Sequence, residues 1–467
     1  MRTSKKWKQV MACILSAGMV LSLAACGETG KESPPAVQEE TAKEGKEETK
    51  EETKEEAKAD SGEPAKEEKE PVTIRFWNGW TGVDGEVLKE MVALYNEQNE
   101  DNVTIDMDIM EFSSLEEKMN MSIASNTNPE LHLGVAVGDY SRDGIYIPID
   151  DIWEKTDLEK SDFNEDILDA CTLDGKLYGM PFQLSGTFLY WNKDLFEAAG
   201  LDPETPPKTW EELAEFAEKL EDPSKNIVGG GFFYDNQFCV AEMLLSYGGG
   251  IVSEDGENIL TDPEYIDGNL KALEVYKNYI DYSDTRKYTT ADYESMFLAN
   301  TCGMICTGGW FATACKTNGA NFGVSVLPAG DERISTVAWP MSICVMKNTE
   351  GRELEACYSF MEFWNDNIHN KVTGDGKSPV YRWTEIGYQP YLKSVAEDEE
   401  LNADPVYAVT STFLDYYDPY FPTGYVYSTP LQYDVLSPML EQITYEHVDP
   451  KDALQWASDE LDAIAGK

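Results

Sequence analysis

The chain has 467 residues, 87 of them acidic and 37 basic, for a formal net charge of −50 at pH 7. So large a negative balance repels phosphate backbones and anionic lipid headgroups, which excludes nucleic-acid binding and disfavours a strongly anionic ligand. A cationic ligand or a metal stays open on charge alone, although a solvated acidic surface accounts for the same composition.

Arg2, Lys5, Lys6 and Lys8 form a basic start, and Val10 to Leu21 form an apolar core of signal-peptide length, too short to span a bilayer. It closes on Leu23-Ala24-Ala25-Cys26, which resembles the lipobox of bacterial lipoproteins. The resemblance implies a lipoprotein signal peptide over 1–25, with Cys26 lipidated as the first mature residue. The protein is then exported and held on the outer face of a bacterial cell membrane by acyl chains, of which more than one is needed for a stable anchor. A plain secretory signal with an incidental cysteine is the alternative. After Cys26, residues 27–71 hold fifteen Glu, one Asp and eight Lys and no aromatic residue. Such a segment cannot bury enough apolar surface to offset its ordering entropy, so 26–71 reads as a solvated acidic tether.

The remaining body, 72–467, exceeds what one hydrophobic core usually serves and predicts two lobes. It carries seven cysteines. Cys302 and Cys306 lie in an apolar run that reads as a strand, where they share a face about 13 Å apart, beyond reach of a disulfide or a common metal. None of His132, His369 and His447 has a second ligand at zinc spacing, so no metal site and no cofactor are expected. Most of the cysteines read as small buried hydrophobes, with one unassigned disulfide left open.

Along the body, Val72 to Phe76 is a strand, and Val87, Leu88, Met91, Val92, Leu94 and Tyr95 recur at helical spacing. Val103, Ile105, Met107 and Ile109 alternate as a half-buried strand, a helix starts near Leu115, and 131–137 reads as a buried strand. Thr209-Trp210-Glu211-Glu212 is a capping box, and Asp262-Pro263 and Asp449-Pro450 mark further helix starts. The last helix runs through Leu454, Ala457, Leu461 and Ile464. This order predicts an α/β fold with largely parallel sheets.

Three segments together resemble one family. The first is Thr73-Ile74-Arg75-Phe76-Trp77-Asn78-Gly79-Trp80 with Asp84 beyond it. The second is Asp174-Gly175-Lys176-Leu177-Tyr178-Gly179-Met180-Pro181-Phe182, running into Leu189-Tyr190-Trp191-Asn192-Lys193-Asp194-Leu195-Phe196 and Pro207-Lys208-Thr209-Trp210. The third is Gly303-Met304, then Gly308-Gly309-Trp310 and Gly323-Val324-Ser325-Val326-Leu327-Pro328. In this order they resemble the extracellular solute-binding proteins of ABC importers, in the maltose-binding-protein-like sugar group, over the whole body. The resemblance implies a two-lobed periplasmic-binding-protein-like fold with a ligand cleft between hinged lobes. Lobe 1 is then 72–185 with 330–376, and lobe 2 is 186–329 with 377–467. Crossings are expected near 183–188, 329–341 and 377–383. It further implies a monomer that captures a mono- or oligosaccharide by closure and delivers it to a membrane permease, without catalysis.

Sugars offer C–H faces to aromatic rings and hydroxyls to carboxylates and amides, so candidate contacts are chosen by residue type and position. Trp80 follows the first strand, where open α/β sheets place ligands; the alternative is a core tryptophan. Asp84 opens the next helix as a contact or a cap. Asp139 stands where the family carries an acidic contact, Gln183 lies at the first crossing, and Trp310 matches the family's Gly-x-Trp feature. Trp339 near the second crossing, Asn236 and Arg382 complete the set. Two other readings stay open: a secreted carbohydrate hydrolase using paired carboxylates, and ferric iron held through Tyr416-Tyr417.

Overall fold

The computed structural model describes residues 69–467 except 82, 135–136, 232–236, 254, 283–286, 370–376 and 419–429. The signal segment, Cys26, nearly all of the tether and Asn236 lie outside the described residues.

β1 (Val72–Asn78) leads into α1 (Val83–Gln98), and β2 (Val103–Ile109) into α2 (Phe112–Ser125). β2 alternates as its sequence requires, with Val103 and Ile105 buried and Thr104 and Asp106 in water. β3 (Leu131–Gly134) stops earlier than expected, and α3 (Val137–Arg142) begins at the residue assigned to the strand's end. A short apolar run suits a buried strand and a buried helical turn equally, so its composition could not place that boundary.

β4 (Gly179–Ser185) and β5 (Thr187–Asn192) follow, then α4 (Trp210–Leu220), β6 (Val228–Gly231), α5 (Gln237–Ser246) and α6 (Ile266–Tyr282). Thr209 caps α4 by accepting from the Glu212 amide, but the Glu212 carboxylate accepts from the Lys208 amide, one residue short of the reciprocal box. Asp262-Pro263 forms a turn, and α6 starts only at Ile266. Next come α7 (Thr290–Leu298), β7 (Cys302–Gly308), α8 (Phe311–Asn318), β8 (Phe322–Ser325), β9 (Trp339–Val345), α9 (Arg352–Asn365) and α10 (Pro379–Glu385). α11 (Pro450–Ile464) starts as its sequence predicts, with Asp449 capping and Pro450 in the first turn.

The strands form a five-stranded sheet, β2-β1-β3-β9-β4, and a four-stranded sheet, β8-β5-β7-β6. Both are mixed, which corrects the expectation of largely parallel sheets. β1 runs parallel to β2 and β3, and β6 to β7, whereas β9 is antiparallel to β3 and β4, and β5 to β7 and β8. The reason is topological: β4 leaves the first sheet straight into β5 of the second, and β9 returns antiparallel beside β4.

Gly186 is the single residue between β4 and β5. A Cβ there would meet the Phe413 ring at 2.7 Å, so only glycine lets the chain pass this point without moving that ring. Residues 326–338 carry the chain back toward β9. The segment after α10 is tied to the first crossing: the Gln389 amide donates to Leu184 O at 3.0 Å, and Gln389 Oε1 accepts from the Gly186 amide at 3.1 Å. α10 itself packs on α9, α1 and β4, the side of the first sheet, whereas 377–467 was expected with the second lobe. Helix Pro405–Thr410 packs on β8 of the second sheet.

One apolar cluster fills the first sheet's helix-covered face and continues through Phe188 and Phe413 to the second sheet; another packs α4, α5, α6 and α11 around the latter. All seven described cysteines are buried and no disulfide joins them.

Candidate functional site

The positions singled out in sequence converge only in part. Asp84 lies in the first turn of α1. Its Oδ1 accepts from the Gly85 amide at 2.8 Å, and its Oδ2 accepts from the Tyr388 hydroxyl at 3.0 Å. Burial first, and the Asp84 carboxylate second, raise the Tyr388 phenol well above its ordinary value, so it stays a donor. The Tyr388 ring stacks on Trp383 with centroids 5.0 Å apart, and the tilted Trp310 ring stands 6.4 Å from it.

Trp310 sits at the end of β7 and opens α8, with 36% of its surface exposed. Two glycines make this arrangement fit. A Cβ on Gly308 would meet the Trp310 ring at 2.0 Å, and one on Gly309 would meet Gln389 Nε2 and Gly387 O at 2.2 Å. The Gly-Gly pair thus brings the 387–389 backbone against the root of the exposed indole.

Trp80, by contrast, is only 5% exposed. It stacks on Phe182 and meets Trp383 edge-on, both at 5.4 Å, so in this conformation its ring packs as core. Arg382 pairs with Glu385 at 3.0 Å on the surface of α10. Trp339 opens β9 and Asp139 lies within α3, but their side chains are not among those described.

Gln183 is 4% exposed, and its Oε1 has no hydrogen-bond partner among the described residues. The same holds for Ser185 Oγ two residues along β4, for Asn78 Nδ2 at the end of β1, and for Trp383 Nε1. Leaving a buried polar atom unpaired costs about 1–3 kcal/mol, so a group of them along the strand that crosses between sheets needs a cause. Neutral donors and acceptors of this kind match hydroxyls. A cavity of about 310 Å³ has Gly309, Thr313, Thr384, Tyr388 and Tyr407 in its wall, within the size range of small-molecule pockets. Among the described residues no group of three or more His, Cys, Asp or Glu is placed to hold a metal ion.

Sequence reasoning missed Tyr388 and Gln389. The Gly387-x-x-Pro390 spacing marks a turn, and an aromatic and an amide inside a turn were the available signal.

Residues 90–409 match the family model of the bacterial extracellular solute-binding proteins. Among curated relatives, a putative binding protein of Brucella abortus is 29% identical over 58% of this chain and 66% of its own length. A maltotriose-binding protein of Pyrococcus abyssi is 25% identical over 62% of this chain and 61% of its own. An sn-glycerol-3-phosphate-binding periplasmic protein of Brucella melitensis is 23% identical over 69% and 77%. The chain thus spans about two thirds of the length of the curated relatives it matches. Among solved structures, maltose-bound T. maritima MalE3 superposes with a TM-score of 0.70 at 20% identity, covering 84% of this chain and 99% of that one. An ABC substrate-binding protein of Listeria monocytogenes in complex with cycloalternan gives 0.68 at 23% identity, covering 85% and 100%. These likenesses establish the two-lobed periplasmic-binding-protein fold.

Proposed function

Because the chain belongs to the bacterial extracellular solute-binding proteins, we propose that it is the carbohydrate-capturing subunit of an ABC importer. The observation that carries this reading is the half-exposed Trp310 ring facing the Tyr388–Asp84 pair. An indole face covers sugar C–H groups at low entropic cost, and the nearby carboxylate and amide accept and donate to hydroxyls.

A phosphorylated solute fits less well. Lys316, the cation in the cavity wall, is already paired with Asp404. With a net charge of −50, the chain would also repel such a ligand at a distance. That separates this chain's chemistry from that of its glycerol-phosphate-binding relative and aligns it with the proteins named for maltotriose, maltose and cycloalternan.

The lobes are assigned around the first sheet (72–185 with 330–376) and the second sheet (186–329), and α10 is placed with the first. Contacts to the sugar become complete only when the halves meet, so binding shifts the hinge toward the closed form. The loaded form then docks on a permease. Cys26 carries the acyl chains that hold the protein at the membrane, and the acidic tether spaces the body from the surface.

A thermal-shift panel of maltotriose, maltose, mannotriose and glycerol 3-phosphate tests the ligand class. A bound sugar at a hundredfold excess over its Kd raises stability by about 2.7 kcal/mol. A shift with glycerol 3-phosphate alone overturns the neutral-sugar reading, and release of shorter sugars during incubation overturns the carrier. Cys26→Ala should release the protein from membranes and abolish palmitate labelling.

A further inference from the structure

Glu242 lies outside the aromatic site. It is fully buried on α5, in the apolar run Cys239-Val240-Ala241-Glu242-Met243-Leu244. Its Oε1 accepts from the Val337 amide at 2.9 Å, within the second crossing segment. The hydroxyl of Thr187, the first residue of β5 after Gly186 of the first crossing, lies beside the same carboxyl group. Oε2 has no partner among the described residues. One side chain therefore reaches both segments on which the two halves turn. The second crossing is fixed on its other side by backbone: the Thr336 amide donates to Tyr416 O at 2.9 Å and its hydroxyl to Phe413 O at 2.8 Å. Glu242 supplies the adjacent contact from the second half.

The charge state follows from the surroundings. The titratable neighbour that interacts with it is Cys239 on its own helix, which brings no positive charge. Among the described residues no Lys, Arg or His pairs with Glu242. Burial then raises the carboxyl well above its ordinary range and keeps it a neutral acid. A neutral acid still accepts from Val337 and gains an O–H to donate, whereas an anion in this place would be desolvated without a counter-charge.

We propose that Glu242 is the positioning residue of the hinge, a buried carboxyl that, as the neutral acid, ties the second crossing to the first. The proposal rests on closure of two halves and is independent of which solute binds, so it is tested without sugar.

The full chain is compared as wild type, Glu242→Gln and Glu242→Leu between pH 5 and 9, following the melting point, the Val337 amide exchange rate and small-angle scattering. The folded state holds a proton that the unfolded chain releases above about pH 4.3, so stability falls as pH rises through this window. The wild-type melting point should therefore drop with pH relative to Glu242→Gln. Val337 exchange, corrected for its intrinsic rate, should be at least tenfold slower in wild type and Glu242→Gln than in Glu242→Leu. Glu242→Leu should exchange fast throughout and shift the scattering profile of the unliganded protein. Parallel pH profiles for wild type and Glu242→Gln overturn the protonated tie, even if Glu242→Leu does not fold. Lost Val337 protection with unchanged scattering in Glu242→Leu overturns the role in the hinge.

Discussion

The Tyr388 hydroxyl donates to Asp84 Oδ2 at 3.0 Å across 304 residues of sequence, joining the first turn of α1 to the turn that follows α10. Tyr388 therefore holds the Asp84 carboxylate in place while its ring contacts both Trp383 and Trp310. Tyr388→Phe removes the donor and keeps the stack. Stability should fall by about 1 kcal/mol or less in urea denaturation, because water replaces the lost partner at this half-buried carboxylate. Affinity for maltotriose should weaken several-fold in calorimetry as Asp84 gains freedom; equal affinity in both proteins would assign the pair to structure alone.

Trp310→Ala should abolish the sugar-induced melting shift and leave the unliganded melting point nearly unchanged, because the ring is already 36% exposed. An early melting transition without sugar would show that the indole is needed for packing.

Gly309 and Gly319 lie at opposite ends of α8 and should respond differently to alanine. At Gly309 the new Cβ meets the carbonyl oxygen of Gly387 at 2.2 Å, and backbone cannot step aside, so a loss of roughly 1–3 kcal/mol is expected together with weaker sugar binding. At Gly319 the space is open but φ is +67°, so only the left-handed strain is felt, about 1 kcal/mol with binding intact. Denaturant midpoints and a maltotriose titration separate the two.

His132 sets a pH dependence opposite in sign to that of Glu242. It is buried on β3, its Nδ1 is 2.6 Å from the Tyr146 hydroxyl, and burial depresses its imidazole to about 3. The unfolded chain takes up a proton near pH 6.5 that the folded chain refuses, so this contribution is present above 6.5 and is lost as pH falls toward 3. His132→Gln should lose less stability than wild type between pH 6.5 and 4 in urea titrations. Equal slopes would place a charged imidazole in the fold.

How far the sequence reaches is clearest at particular residues. The alternation of Val103 and Ile105 with Thr104 and Asp106, and the Asp449-Pro450 start of α11, are local rules, and the structure follows them. Local rules failed where two conformations bury the same residues. A helix begins at Val137, the expected end of the strand, and Trp80, a loop tryptophan by sequence, packs against Phe182 and Trp383. Tyr388 and Glu242 were not chosen at all, because each matters through partners hundreds or scores of residues away.

The chain's charge, the Asp449-Pro450 helix start and the family of its body were determined by the order of residues, since each depends on composition or on neighbours within a turn or two. The mixed pairing of the sheets, the meeting of Gln389 and Phe413 with the first crossing at Gly186, the placing of α10 with the first sheet and the joining of Asp84, Tyr388 and Trp310 were decided by tertiary packing. Such contacts become favourable only after distant segments have been brought together, and no local pattern records the free energy of that encounter.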